Sequence, residues 1–323
     1  MVKKIKQFSV INLKGIAQIM LQENAITGLL FLLGVLYNSW LMAIGLVIAT
    51  ITGSVSGYLL SKKNYKALNQ GLYGFNAALI GIIIVYKYGL SWESVFSIIV
   101  ASVIATLIMH FAIIKNLQVF TFPFVVMGWV VVSLVNTTNF MPLVQHPTAE
   151  EDFLQEPTAE MFEDALEQVG IEYDDDRIDD DLIFSTHGFG QVMFQGSLIA
   201  GLLFLFGVYV NKPIAALYGI FASILAISVS HLLNSPESSI DTGMFSFNAV
   251  LCALAFAGTR HRDGFWVVLS TVVTVIIDDY LIKIGVPPYT FPFVATMWIL
   301  LLTRKGLVIV ENAFPVTKRE TED

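Results

Sequence analysis

The sequence predicts an all-α integral membrane protein: ten transmembrane helices forming two inverted five-helix repeats with broken pore helices. Three observations lead there: an oil-rich composition, a regular series of apolar runs, and an internal repeat. Of 323 residues, 55% are hydrophobic and 14% charged, with a mean hydropathy of +0.71. Soluble domains average about 45–50% apolar and about 25% charged. The net charge of −8 is misleading until it is located. Residues 150–181 hold 15 of the 26 acids against one base, Arg177, so elsewhere 11 acids face 17 bases. A soluble enzyme, a nucleic-acid-binding protein and a disordered tail are thereby excluded as whole-chain descriptions.

The apolar runs fall near 26–37, 40–60, 72–87, 94–114, 119–136, 198–211, 214–233, 245–258, 265–284 and 290–310. Some approach the roughly 20 residues a helix needs to cross about 30 Å of hydrocarbon. The shorter ones, and the moderately polar stretches before 26 and 198, are expected to be broken or tilted membrane segments. Three regions follow: 1–140, the first five-helix repeat; 141–185, an acidic extracellular loop with a short helix near 158–169; and 186–323, the second repeat and tail. No cleavable signal segment is expected, because the first apolar stretch lacks a small-residue cleavage site. The lone Cys252 sits in an apolar run and is read as a small buried hydrophobe.

Basic residues set the expected orientation. With both termini cytoplasmic, 15 of the 18 bases lie inside, leaving Lys87, Arg177 and Lys283 outside with the acidic loop.

Self-similarity is the most informative feature. Gly15-Ile-Ala-Gln18-Ile-Met-Leu21-Gln22, followed by Thr27-Gly28-Leu-Leu-Phe-Leu-Leu-Gly34, recurs 173 residues later. The second copy reads Gly188-Phe-Gly-Gln191-Val-Met-Phe194-Gln195, then Ala200-Gly201-Leu-Leu-Phe-Leu-Phe-Gly207. Gly74-Phe75-Asn76-Ala77 returns as Ser246-Phe247-Asn248-Ala249, and Thr121-Phe-Pro123-Phe124 with Trp129 as Thr290-Phe-Pro292-Phe293 with Trp298. Five crossings per half, an odd number, force the two copies to insert in opposite senses, an architecture of transporters and channels.

Each repeated block offers chemistry beside a plain structural reading. Proline disfavours helix at the residue before it, so Thr-Phe-Pro-Phe reads as a break at the head of a span. There Thr121 and Thr290 either present hydroxyls to a solute or bond back to their own helices. Gln18 and Gln191 are uncharged amides that must find a partner, water or a pore; leaving one bare in hydrocarbon costs about 2–7 kcal/mol. They are pore groups or helix-to-helix glue. Leu21 and Phe194 follow one helical turn later on the same face. Phe75 with Leu79, and Phe247 with Leu251, repeat that spacing as pore walls or as core. Together the blocks describe a narrow slot with flat apolar walls and a few polar rungs, suited to a flat, neutral, hydrogen-bonding solute.

Other chemistries find no footing. A G-x-x-x-x-G-K-[ST] loop is missing, and the repeated blocks contain no Asp, Glu, Lys or Arg. Ion-coupled carriers usually need an intramembrane ionisable group. Here His110 reads as a satisfied interior histidine, and His231, Asp278 and Asp279 as solvated groups near the membrane surface. With no hydrolase arrangement and no metal-ligand spacing, neither an enzyme nor a cofactor is expected.

These residues resemble the urea transporters: two five-helix halves, a Gln-led block before Thr-Gly-Leu-Leu-Phe, Leu72-Tyr-Gly-Phe-Asn76, and paired Thr-x-Pro-Phe motifs. The likeness spans roughly 15–130 and 188–300, and the short tails fit a bacterial-type member. It implies a homotrimer in the cell membrane, one pore per subunit, conducting urea by facilitated diffusion. By position, Gln18 and Gln191 would be polar groups at the outer mouth. Leu21 and Phe194, with Ile19 and Val192 nearby, would flank the flat solute. Thr121 and Thr290 would face each other at the constriction, and Phe75, Leu79, Phe247 and Leu251 would complete the walls. The chain departs from the family where Asn-Pro usually precedes each Gly-rich span: it has Asn24-Ala25 and Gly196-Ser-Leu198. Leu21 replaces what is often an aromatic. The alternative from another class is an ion-coupled carrier of a small polar solute using His110 or the Asp278-Asp279 pair.

Overall fold

Small and polar side chains face inward on the long helices, and large apolar ones face out, the reverse of a water-soluble bundle. Helix α3 (Trp40–Leu60) buries Ala43, Gly45, Ala49, Thr50, Gly53, Ser54 and Gly57 while exposing Trp40, Ile44, Val47, Ile51, Val55 and Tyr58. Helix α6 (Trp92–Ile114) does the same, burying Ser94, Ala101, Ser102, Ala105 and Thr106 and exposing Phe96, Ile99, Leu107 and Phe111. Such a surface is stable only against hydrocarbon, and small inward residues let backbones approach.

The computed structural model describes residues 2–61, 65–144, 186–236, 239–240 and 242–313. The short helix expected near 158–169 lies outside the described residues. The first half runs α1 (Val2–Ala17), a 3-10 turn (Gln18–Met20), α2 (Ala25–Asn38), α3, the short α4 (Lys66–Asn69), α5 (Phe75–Tyr88), α6 and α7 (Phe122–Thr138). The second half begins with helical residues 186–191. It continues with α8 (Leu198–Asn211), α9 (Pro213–Leu232), α10 (Ser246–Phe256), α11 (His261–Lys283) and α12 (Phe291–Ala313).

Among the described residues four helices, α3, α6, α9 and α11, are by themselves long and apolar enough to cross a membrane. The pair α1–α2 makes a fifth if counted as one span bent by 75°. That bend has a local cause. Leu21 adopts a left-handed conformation (φ 60°), and Asn24 starts the new helix by accepting from the amides of Ile26 and Thr27 at 2.8 and 3.4 Å.

The remaining apolar helices are shorter. Helix α5 has 14 residues, about 21 Å at 1.5 Å per residue, against roughly 30 Å of hydrocarbon. It buries nearly its whole circumference, as does α10, so both lie inside the protein. A short or interrupted helix is tolerated at membrane depth only when protein covers its ends. Close packing secures α5: a Cβ on Gly81 would sit 2.2 Å from the Gly45 carbonyl oxygen of α3.

The two halves meet in contacts that are made twice with roles exchanged. Phe31 and Phe204 pack edge to face at 5.3 Å. A Cβ on Gly34 would strike the Phe204 ring at 2.5 Å, and one on Gly207 would strike the Phe31 ring at 2.8 Å. Phe31 and Gly34 are the counterparts of Phe204 and Gly207 at the 173-residue offset. Beside them the Thr27 hydroxyl donates to the Gly207 carbonyl at 2.7 Å.

Candidate functional site

Thr121 and Thr290 each stand just before a helix that has proline in its first turn, after a residue in left-handed backbone: Phe120 (φ 48°) and Tyr289 (φ 45°). A threonine at that place has no preceding helical turn to bond back to. Thr50, Thr106 and Thr137 all donate to the carbonyl four residues earlier. Thr121 and Thr290 instead meet each other: the Thr290 hydroxyl donates to that of Thr121 at 2.7 Å. Both are 2% exposed. Each hydroxyl has two lone pairs and one proton, so the pair keeps more free acceptors than donors.

A duplicated asparagine clamps each threonine's flanks. Asn76, in the first turn of α5, donates to the Phe120 carbonyl at 3.2 Å and accepts from the Phe124 amide at 3.1 Å. Asn248 repeats this in the second half, donating to the Tyr289 carbonyl at 3.0 Å and accepting from the Phe293 amide at 3.4 Å. One side chain thus bridges the break on both sides of the threonine. The sequence quotes these asparagines within the repeat without giving them a role, although a duplicated amide in an apolar block was the signal.

Aromatic rings frame the threonines in exchanged pairs. Phe120 packs edge to face on Phe293 at 5.3 Å, and Phe124 lies 5.8 Å from Tyr289. Further out, Trp129 packs on Phe291 and Trp298 on Phe122, at 5.4 and 5.2 Å. Each indole N–H donates across the halves, Trp129 to the Pro287 carbonyl at 2.9 Å and Trp298 to that of Gln118 at 2.8 Å.

On the first-half side, Gln18, Leu21 and Phe75 line one cavity of about 400 Å³ with Met109, Gln118 and Phe120. Gln18 is tied by a 3.0 Å bond from its side-chain amide to the Gln70 carbonyl, whereas the side chain of Gln191, half-buried, makes no hydrogen bond to a described residue. Phe194 lies elsewhere, 5.7 Å from Tyr86 and 6.4 Å from Phe124. Leu79, Val192, Phe247 and Leu251 are buried in the packed core, as is Ile19.

Three expectations are corrected. Gln18 and Leu21 do not share one continuous helical face. Leu21 and Phe194 both leave the helix in left-handed backbone, at φ 60° and 59°, although Gln18 and Leu21 still reach the same cavity. Nor do Gln18 and Gln191 open one mouth. Phe75 and Tyr86, the neighbours of Gln18 and Phe194, are eleven residues apart on α5, about 16 Å along its axis. Finally, Asp278 and Asp279 are not solvated: Asp278 is wholly buried and Asp279 is 8% exposed. Asp279 accepts from the Ser235 hydroxyl at 2.8 Å and pairs with Lys283 at 2.7 Å. His110 is half-buried and shares a 2.8 Å hydrogen bond with the Tyr73 hydroxyl. Among the described residues no cluster of His, Cys, Asp or Glu could hold a metal ion.

Comparison with known proteins matches residues 10–305 to the family described as urea transporter. Urea transporter 1 of Ovis aries is 26% identical over 95% of this chain and 79% of its own length. Urea transporter 1 of Capra hircus gives the same figures. That of Rattus norvegicus is 25% identical over 91% of this chain and 77% of its own.

Proposed function

The chain belongs to the urea transporter family, and from that premise we propose that it conducts urea passively through a pore between its two halves, with Thr121 and Thr290 at the constriction. The observation that carries this is the hydroxyl pair at 2.7 Å, contributed by both halves at paired helix breaks. Urea is planar and uncharged, with two NH₂ groups and one carbonyl. An acceptor-rich pair replaces the water those NH₂ groups lose, and the flat rings beside it favour a flat solute over a hydrated one. Binding there stays weak enough for release because the rungs are few and neutral.

Gln18, Leu21 and Phe75 line one approach, and Gln191 and Phe194 the opposite one, with Val192 packed behind them. Leu79, Phe247 and Leu251 back the walls. Ten crossings arise when the short helices are counted with the long ones, in inverted repeats over 1–140 and 186–323. The exchanged contacts support that relation, since a two-fold axis pairs residue i with j and j with i. The protein then sits as a homotrimer in the cell membrane, both termini cytoplasmic and residues 141–185 outside.

One observation favours a second reading. Asp278 is a buried carboxyl in a membrane-length helix, the kind of group ion-coupled carriers use. Radiolabelled urea uptake into proteoliposomes separates the two. A passive pore equilibrates urea and ignores an imposed proton or sodium gradient. A coupled carrier concentrates urea and loses that ability with an ionophore.

A further inference from the structure

We infer that Asp278 is a positioning residue for the constriction, holding Asn248 and through it the backbone that carries Thr290. The inference rests on the pore reading above. Both oxygens of Asp278 lie 3.1 Å from the Asn248 amide nitrogen, the same nitrogen that donates to the Tyr289 carbonyl at 3.0 Å. Lys283, the nearest cation along the helix, is engaged with Asp279, and Asp278 has no ion-pair partner among the described residues. Its partner is a neutral amide one step from the constriction.

The comparison between halves isolates the role. At the 169-residue offset that relates Thr121 to Thr290, Asp278 corresponds to Met109. Met109 occupies the same place in the first half, its sulfur 4.0 Å from the Asn76 amide nitrogen. The first-half asparagine therefore has a soft, weak acceptor behind it, and the second-half asparagine a carboxyl. An amide gripped by an oxygen acceptor keeps its orientation against a passing solute better than one resting on a thioether. The Thr290 side of the constriction is the fixed jaw, and the Thr121 side the compliant one.

The experiment is the urea-to-methylurea permeability ratio of purified protein in proteoliposomes, read for Asp278→Leu and Asp278→Asn, with monodispersity and melting temperature recorded. Asp278→Leu lowers the ratio about fivefold, the size of one lost positioning hydrogen bond at the barrier. Asp278→Asn keeps an oxygen acceptor and restores the ratio. If Asp278→Leu fails to assemble, Asp278→Met, which copies the first half, reads the same ratio. A folded Asp278→Leu or Asp278→Met protein with the wild-type ratio overturns the inference, even with a lowered melting temperature. Wild-type protein that passes no urea overturns the pore reading instead, so the two failures are told apart.

Discussion

The hydroxyls of Thr121 and Thr290 meet at 2.7 Å although 169 residues separate them. Each stands at the head of a proline-started helix from a different half. Neither hydroxyl is used to cap its own helix, so the pair is available to a solute that parts it.

Replacing either threonine by valine removes a hydroxyl at nearly constant volume. Thr121→Val and Thr290→Val are each expected to cut urea permeability about fivefold to tenfold, one net hydrogen bond at the barrier. Melting temperatures should fall by less than in variants that orphan two backbone groups, since each change leaves one buried hydroxyl without its partner. Initial rates of urea entry into proteoliposomes, normalised to protein content, check this.

Asn76 and Asn248 each satisfy a carbonyl and an amide on either side of the break. Asn76→Leu and Asn248→Leu leave those buried backbone groups bare, at about 1–3 kcal/mol for each orphaned group. Thermal unfolding in detergent should drop by several degrees for both, in contrast with the threonine variants.

The interface between halves is tested by overpacking. A Cβ on Gly34 or Gly207 intrudes on Phe204 or Phe31, and added bulk in a filled core costs about 1–3 kcal/mol. Gly34→Ala and Gly207→Ala are expected to destabilise similarly. Phe204→Leu should relieve the first and leave the second unrelieved. Melting curves of the four proteins decide it.

Much of the helix layout was legible because hydrocarbon leaves a coarse imprint: the runs at 40–60 and 198–211 coincide with α3 and α8 to the residue or nearly so. The threonine pair was legible through its duplication. Backbone geometry was not. Leu21 and Phe194 look like helix positions by spacing, and only the turn after Gln18–Met20 and its counterpart puts them in left-handed backbone. Nor was the burial of Asp278, because a carboxyl near a helix end reads as solvated until Asn248 is seen beside it. Partners 30 residues apart on neighbouring helices leave no local pattern.

Gln18 and Gln191 are equivalent in sequence and unequal in bonding. Gln18→Leu orphans the Gln70 carbonyl and is expected to lower stability by about 1 kcal/mol. Gln191→Leu removes no side-chain hydrogen bond to a described residue, so its effect belongs to urea half-saturation rather than to assembly. Half-saturation from flux and melting temperature, measured on both, should move in that crossed pattern.

Passive urea conduction through the threonine pair is read by stopped-flow light scattering of proteoliposomes under an inward urea gradient. Wild-type protein should pass urea quickly and saturably, at a rate unmoved by proton or sodium gradients, and Thr121→Val/Thr290→Val should pass it at least tenfold more slowly, both hydroxyls being lost. A double variant as fast as wild type, or entry that needs an ion gradient, would contradict it.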